Sequence, residues 1–226
     1  MDTLLTREEM TEAFRGVLSR FSNLIRPLTD DQLATSSRCA GWTIGDVAGH
    51  FVGSMAEIAA GELDGQGTEP VTKRQVEARK GHTATQLADE LDQAAVGLNA
   101  LLDVLDDNAW NAPAGGGYDG TLGRGIEALL ADGAVHADDI DNELGLGHHP
   151  TPAEVTAALS HVAYHLELQG FGPAVLALEG MPEVAVGGGA ADAPRISGDV
   201  GQFLLAATGR GNPAEFGADD TLNIYR

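Results

Sequence analysis

Asp132 and His136 stand four residues apart in the stretch Ala131-Asp-Gly-Ala-Val-His136, and a helix there would put both on one face, one turn apart. A carboxylate and an imidazole so placed can share a divalent metal ion, and a third ligand from another segment would leave a coordination position open for chemistry. His50 is the candidate for that third ligand. The same spacing is common on solvated helices, where it amounts to a weak side-chain pair, so the rest of the chain has to decide. A second strip, Glu154 with His161 and His165, also has ligand spacing. Cys39 is the only cysteine, which removes an internal disulfide or a cysteine metal cluster and leaves a small packed residue as its expected role.

The elements that must position these residues follow from periodicity and capping. At the helical period, Ile126, Leu130, Gly133, Ala137, Ile140 and Leu144 form one apolar stripe, with Asp132 and His136 at its edge. His50 flanks a stripe of Val47, Phe51, Ser54 and Ile58 in the same way. That second helix has a well-specified start: Thr43 caps it, Asp46 completes the capping box, and Trp42 can staple onto Val47. Another box, Thr6 with Glu9, opens a helix through Met10, Phe14, Val17, Phe21 and Ile25 that stops at Pro27, and Thr29 with Gln32 opens a shorter one.

Residues 61–80 are polar and read as a connecting loop with room for a short helix. A long amphipathic helix then runs from Thr83 or Thr85 to Asp107, and the helix of Asp132 ends near Gly145. Four long amphipathic helices with no strand pattern among them predict a four-helix bundle, a fold that builds metal sites from facing helices. Thr151, Pro152 and Glu154 start a further helix to about Leu168. Beyond it lie short apolar or glycine-broken pieces at residues 174–178, 184–186, 187–189 and 195–197, then a helix from Val200 to Thr208. These predict a small C-terminal α/β or irregular appendage.

Composition narrows the function. With 226 residues, 43% of them hydrophobic, the chain has enough for a folded core. Its 34 acidic against 13 basic residues give a formal net charge of −21, a field that repels phosphate backbones and anionic lipid, so neither nucleic acid nor a membrane surface is an expected partner. The N-terminal residues lack the basic and apolar regions of a signal peptide, and no stretch approaches a membrane span. A cytoplasmic protein with a small-molecule substrate is expected, and a homodimer is left open.

Two stretches, Cys39-Ala-Gly-Trp42-Thr-Ile-Gly-Asp46-Val-Ala-Gly-His50 and Asp132-Gly-Ala-Val-His136-Ala-Asp-Asp139 on to Gly145, resemble the mycothiol-dependent maleylpyruvate isomerase family of the DinB-like superfamily. The resemblance covers most of residues 5 to 147. It implies a mainly α fold: a DinB-like metal-binding four-helix bundle at residues 1–147 and, at 148–226, a shortened form of the family's C-terminal α/β domain. It also implies a divalent metal, usually zinc, held by a histidine after the Gly-Trp-Thr helix start and by a Glu-x-x-x-His pair. His50 and His136 match that pattern, while Asp132 replaces the usual glutamate and keeps the carboxylate. Asp139, one turn beyond His136, is placed to orient a ligand from behind. Arg210, after the Leu-rich helix of the C-terminal region, matches a family arginine that reaches the active site, which would make it a catalytic residue binding an anionic substrate.

The implied chemistry uses mycothiol, a low-molecular-weight thiol, as cosubstrate. Addition to an electron-poor double bond, rotation and expulsion of the thiol give cis–trans isomerisation, and retention of the adduct gives S-transfer. Two alternatives stand beside it: metal-assisted hydrolase or lyase chemistry on the same bundle, and a DinB-like protein that binds a small molecule or partner without catalysis.

Overall fold

The computed structural model describes residues 2–188 and 192–226; the end of the glycine run, Gly189, lies outside them. In chain order the helices are α1 (Arg7–Ile25), α2 (Asp30–Leu33), α3 (Ile44–Ala59), α4 (Glu69–Arg79), α5 (Ala84–Val104), α6 (Asp107–Asn111), α7 (Leu122–Leu144) and α8 (Pro152–Leu168). Strands β1 (Ala174–Leu178), β2 (Val184–Val186) and β3 (Arg195–Gly198) follow, then α9 (Val200–Ala207). Among the described residues, no helix is long and apolar enough to cross a membrane.

The chain divides into two compact units, one of Thr6–Glu154 and one of Val155–Arg226 with the residues up to Leu5. The division falls within the first turn of α8. In the larger unit α1, α3, α5 and α7 form the bundle, with α1 and α3 each packed against both α5 and α7. Capping boxes at Thr6, Thr29, Thr43 and Thr83 satisfy the first turns of α1, α2, α3 and α5, and Gly145 ends α7 in the left-handed conformation (φ 63°). The apolar stripes become the core: Phe14, Phe21, Phe51, Leu91, Leu130 and Ile140 are all fully buried or nearly so.

Residues 61–80, the expected connecting segment with room for a short helix, hold the eleven-residue helix α4. It shows little apolar periodicity because it buries only Val71, Gln75 and Val76. Its close packing on α3 depends on what α3 lacks: a Cβ on Gly53 would lie 2.8 Å from Gln75 Cβ and 2.6 Å from Arg79 Nη1. A comparable close approach joins α1, α3 and α7 at Gly133, where an added Cβ would lie 2.8 Å from Phe51 Cζ and 3.0 Å from Val17 Cγ2. Gly133→Val is therefore expected to destabilise the protein by about 1–3 kcal/mol through overpacking, read as a lower denaturation midpoint. An unchanged midpoint would mean that the three helices are not held at this spacing.

In the smaller unit β1 lies between β2, antiparallel to it, and β3, parallel to it. The expected α/β appendage is thus a three-stranded mixed sheet, with Leu176, Val186 and Phe203 of α9 fully buried.

Candidate metal centre

The neighbouring helices α3 and α7 bring His50 together with Asp132 and His136. Asp132 lies between the two imidazoles: its Oδ1 is 3.3 Å from His136 Nε2 and its Oδ2 is 3.7 Å from His50 Nε2. The rings meet nearly at right angles (88°), with centroids 5.2 Å apart. One ligand atom from each of the three residues lies within 4.8 Å of the others. Both histidines are buried, whereas the Asp132 side chain keeps 28% of its surface exposed, so the cluster faces an opening on the side of the carboxylate.

Each imidazole is also fixed from behind. His50 Nδ1 donates to Gln75 Oε1 at 2.9 Å. The amide of Gln75 has to present its oxygen there, because its Nε2 donates to Glu57 Oε2 (2.8 Å) and Gln66 Oε1 (3.0 Å). His136 Nδ1 donates to Asp139 Oδ2 at 2.9 Å. Asp139, fully buried, also accepts from Arg38 Nε at 2.6 Å and from Cys39 Sγ at 3.1 Å, while Arg38 pairs in addition with Asp138. With both Nδ1 atoms turned outward to their acceptors, the two Nε2 atoms face Asp132, the side through which metal-ligating histidines so supported bind.

Cys39, His136 and Asp139 form a second set of atoms within 4.8 Å of one another. There the separations of 2.9 and 3.1 Å are those of hydrogen bonds to a carboxylate that already balances Arg38, so this set supports the centre.

The electrostatics separate the two histidines. Burial pushes His50 below its ordinary pKa, and the charge of His136 adds to this, against the partial pull of Asp132, Gln75 and Glu57. Burial also works against charge on His136, but the charge of Asp132, with hydrogen bonds to Asp132, Asp139 and Cys39, outweighs it and holds His136 well above its ordinary value. Without metal, the surroundings thus favour the charged form of His136 and the neutral form of His50.

Arg210 belongs to the smaller unit, where its Nη1 donates to Thr208 O at 2.9 Å. The carboxylate of Glu154 caps α8, accepting from Thr151 N at 2.6 Å, and pairs with Arg20. That carboxylate is engaged in the helix start, and the rings of His161 and His165 lie 4.5 Å apart.

Four residues join the site that sequence reasoning gave other roles or none. Cys39 is half-buried against Asp139, where a plain packed residue was expected. Arg38 sits beside it in the loop. Trp42, expected as a staple, places its indole 5.5 Å from His50 and 6.4 Å from His136 by ring centroids. For Arg38 and Trp42 the signal was nearness to the cap at Thr43; Gln75 had none, since the short helix allowed for in residues 61–80 has no apolar stripe to show which face it buries.

A family model for the mycothiol maleylpyruvate isomerase N-terminal domain matches residues 14–141. Two solved structures are similar in fold: the mycothiol-dependent maleylpyruvate isomerase (TM-score 0.65) and a histidine-to-alanine mutant of the mycothiol-dependent maleylpyruvate isomerase (TM-score 0.64). Each is 16% identical and is matched over 93% of its own chain and 93% of this one. No curated protein matches the sequence.

Proposed function

This chain belongs to the mycothiol maleylpyruvate isomerase N-terminal domain family, and from that premise we propose that it is a metal-dependent enzyme. Its reaction uses mycothiol for cis–trans isomerisation of, or S-transfer to, a small electrophile. The observation that carries this reading is the convergence of His50 Nε2, His136 Nε2 and the Asp132 carboxylate, with both Nδ1 atoms tied back.

The donor set fits a divalent ion. Two imidazole nitrogens and one carboxylate are borderline ligands suited to zinc, and three protein ligands leave a position for a cosubstrate. The shorter side chain at the family's glutamate position still presents an oxygen toward each imidazole, at 3.3 and 3.7 Å. His50, Asp132 and His136 would hold the ion. When bound, it supplies the positive charge that favours a thiolate over a thiol at neutral pH.

The protein's own groups supply orientation. Gln75 and Asp139 fix the two imidazole tautomers, and the indole of Trp42 walls one side of the pair. In the isomerisation, the thiolate sulfur bonds to one carbon of the double bond and the π electrons move onto the conjugated carbonyl. Rotation about the new single bond follows. Return of the electron pair breaks the carbon–sulfur bond and expels the sulfur as the thiolate that began the cycle, with no net gain or loss of atoms. If the adduct takes up a proton first, the result is S-transfer. Arg210 is the proposed anion-binding residue of the smaller unit.

Elemental analysis of the purified protein beside His136→Ala tests the centre. We expect about one equivalent of a divalent metal in the wild type and none in the variant, because removing one of three ligands leaves too few to hold it. A wild-type protein that retains no metal and takes up none on titration would sink the proposal.

A further inference from the structure

A cavity of about 240 Å³ opens where α3 and α5 end and α7 begins. Ile58, Leu98, Leu102 and Leu129 wall it, and Leu63 and Leu101 form its rim. These two are among the large apolar side chains the protein leaves exposed, at 40% and 44%. Two loops meet over it: Gly65 N donates to Gly116 O at 3.1 Å, and a Cβ on Gly116, at φ 59°, would lie 2.2 Å from Leu63 O. Only glycine at 116 lets this roof form.

The cavity and the candidate metal centre share a helix and a chain of hydrogen bonds. On α7, Leu129 precedes Asp132 by three residues, so the two share a helix face about one turn apart. Gln66, in the cavity wall, accepts from Gln75 Nε2 at 3.0 Å, and Gln75 in turn holds His50.

We propose that this cavity receives an uncharged, apolar part of the electrophile, resting on the reading above that the reaction takes place at His50, Asp132 and His136. Size and lining both argue for it. A dry cavity of about 150 Å³ admits benzene, so the present one accommodates one ring with a short chain or two fused rings. Among the described residues that line it none is charged, and a carboxylate placed there would lose its hydration without a partner. The formal net charge of −21 adds to that penalty for an anion. The hydrogens of the lining's two polar side chains are already donated: those of the Gln66 amide to Glu57 Oε2 (2.9 Å) and Glu62 O (3.0 Å), and that of the Tyr118 hydroxyl to Arg124 O (3.2 Å). The substrate class is therefore an enone or enal that carries an aryl or short branched alkyl group for this cavity and at most one carboxylate, the group proposed for Arg210, in contrast to a small dicarboxylic acid such as maleylpyruvate.

The test compares 2-naphthol with 2-naphthoate, two probes of like shape that differ in charge, binding to the zinc-loaded full chain by calorimetry. We expect naphthol to bind at least tenfold more tightly, to compete with the electrophile in mycothiol-dependent turnover, and to lose tenfold or more in Leu129→Trp, which fills the cavity. Leu101→Asp, at the exposed rim, adds a carboxylate without disturbing the core and is expected to weaken naphthol binding severalfold. Equal binding of the two probes, or naphthol affinity indifferent to both substitutions, overturns the proposal whatever the metal content. Naphthol binding in a protein that holds no metal and uses no thiol overturns the functional reading and the substrate role together, leaving a cavity that binds apolar molecules only.

Discussion

Asp139→Asn is expected to lower the stability of the protein by about 3–5 kcal/mol and to weaken zinc binding by about 10–100-fold. The side chain has no exposed surface, and its two oxygens take hydrogen bonds from Arg38 Nε, Cys39 Sγ and His136 Nδ1. An amide of the same shape has one oxygen and one NH₂ group, so it must turn a donor toward either Arg38 or His136, each of which is itself a donor. It also leaves the Arg38 guanidinium, only 16% exposed, with Asp138 as its remaining carboxylate in this cluster. That surviving pair puts the stability loss toward the lower end of the range.

The effect on zinc comes separately, through the loss of the acceptor that keeps the His136 proton on Nδ1. Asp138→Asn is the control: its side chain is 38% exposed and touches neither histidine in the observed hydrogen bonds, so about 0–1 kcal/mol is expected from it with unchanged zinc affinity. Denaturation midpoints and competitive zinc titration of both variants decide the matter. Equal losses from the two would mean that Asp139 acts as one more charge beside Arg38 and does not orient His136.

What could be read from the chain beforehand follows a physical divide. Capping boxes are local, so Thr6, Thr29, Thr43 and Thr151 announced their helices by residue type alone. Apolar stripes report burial, so the bundle helices and the edge positions of His50, Asp132 and His136 were legible too. Helix α4 was legible only as room for a short helix within residues 61–80, because it docks by two glycines of α3 and buries a glutamine, leaving no apolar stripe to fix its bounds or its buried face. The support for His50 was invisible with it. Arg38 and Cys39 stand in a loop, where no period exists, and their meeting with Asp139 is a tertiary contact across about a hundred residues. For Arg210 the role came from the resemblance alone, since neither residue type nor spacing marks an anion-binding arginine.

Zinc affinity and the stability of the metal-free protein are expected to respond to pH in opposite directions, with His136 behind both. In the metal-free protein its pKa is raised well above 6.5: burial opposes the charged form, but the charge of Asp132 together with the hydrogen bonds to Asp132, Asp139 and Cys39 outweighs it. The folded state therefore holds this proton more tightly than the unfolded chain does. The stability gained is fully present below about pH 6.5 and is lost as pH rises through the raised value. Zinc needs the Nε2 lone pair, so binding must expel the same proton, and affinity falls about tenfold per pH unit throughout the range below the raised pKa.

Between pH 7 and pH 5 the loss is roughly a hundredfold, and it steepens wherever the pH drops below the lowered pKa of His50, which then has a second proton to give up. Calorimetry in buffers of different protonation enthalpy should accordingly detect about one proton released per zinc at pH 7. Asp132→Asn isolates the contribution, since it removes the charge that raises His136: the decline in metal-free stability above pH 6.5 should shrink relative to wild type. Zinc affinity that stays level from pH 7 to pH 5, or an alkaline stability decline as steep in Asp132→Asn as in wild type, would place the proton somewhere other than between Asp132 and His136.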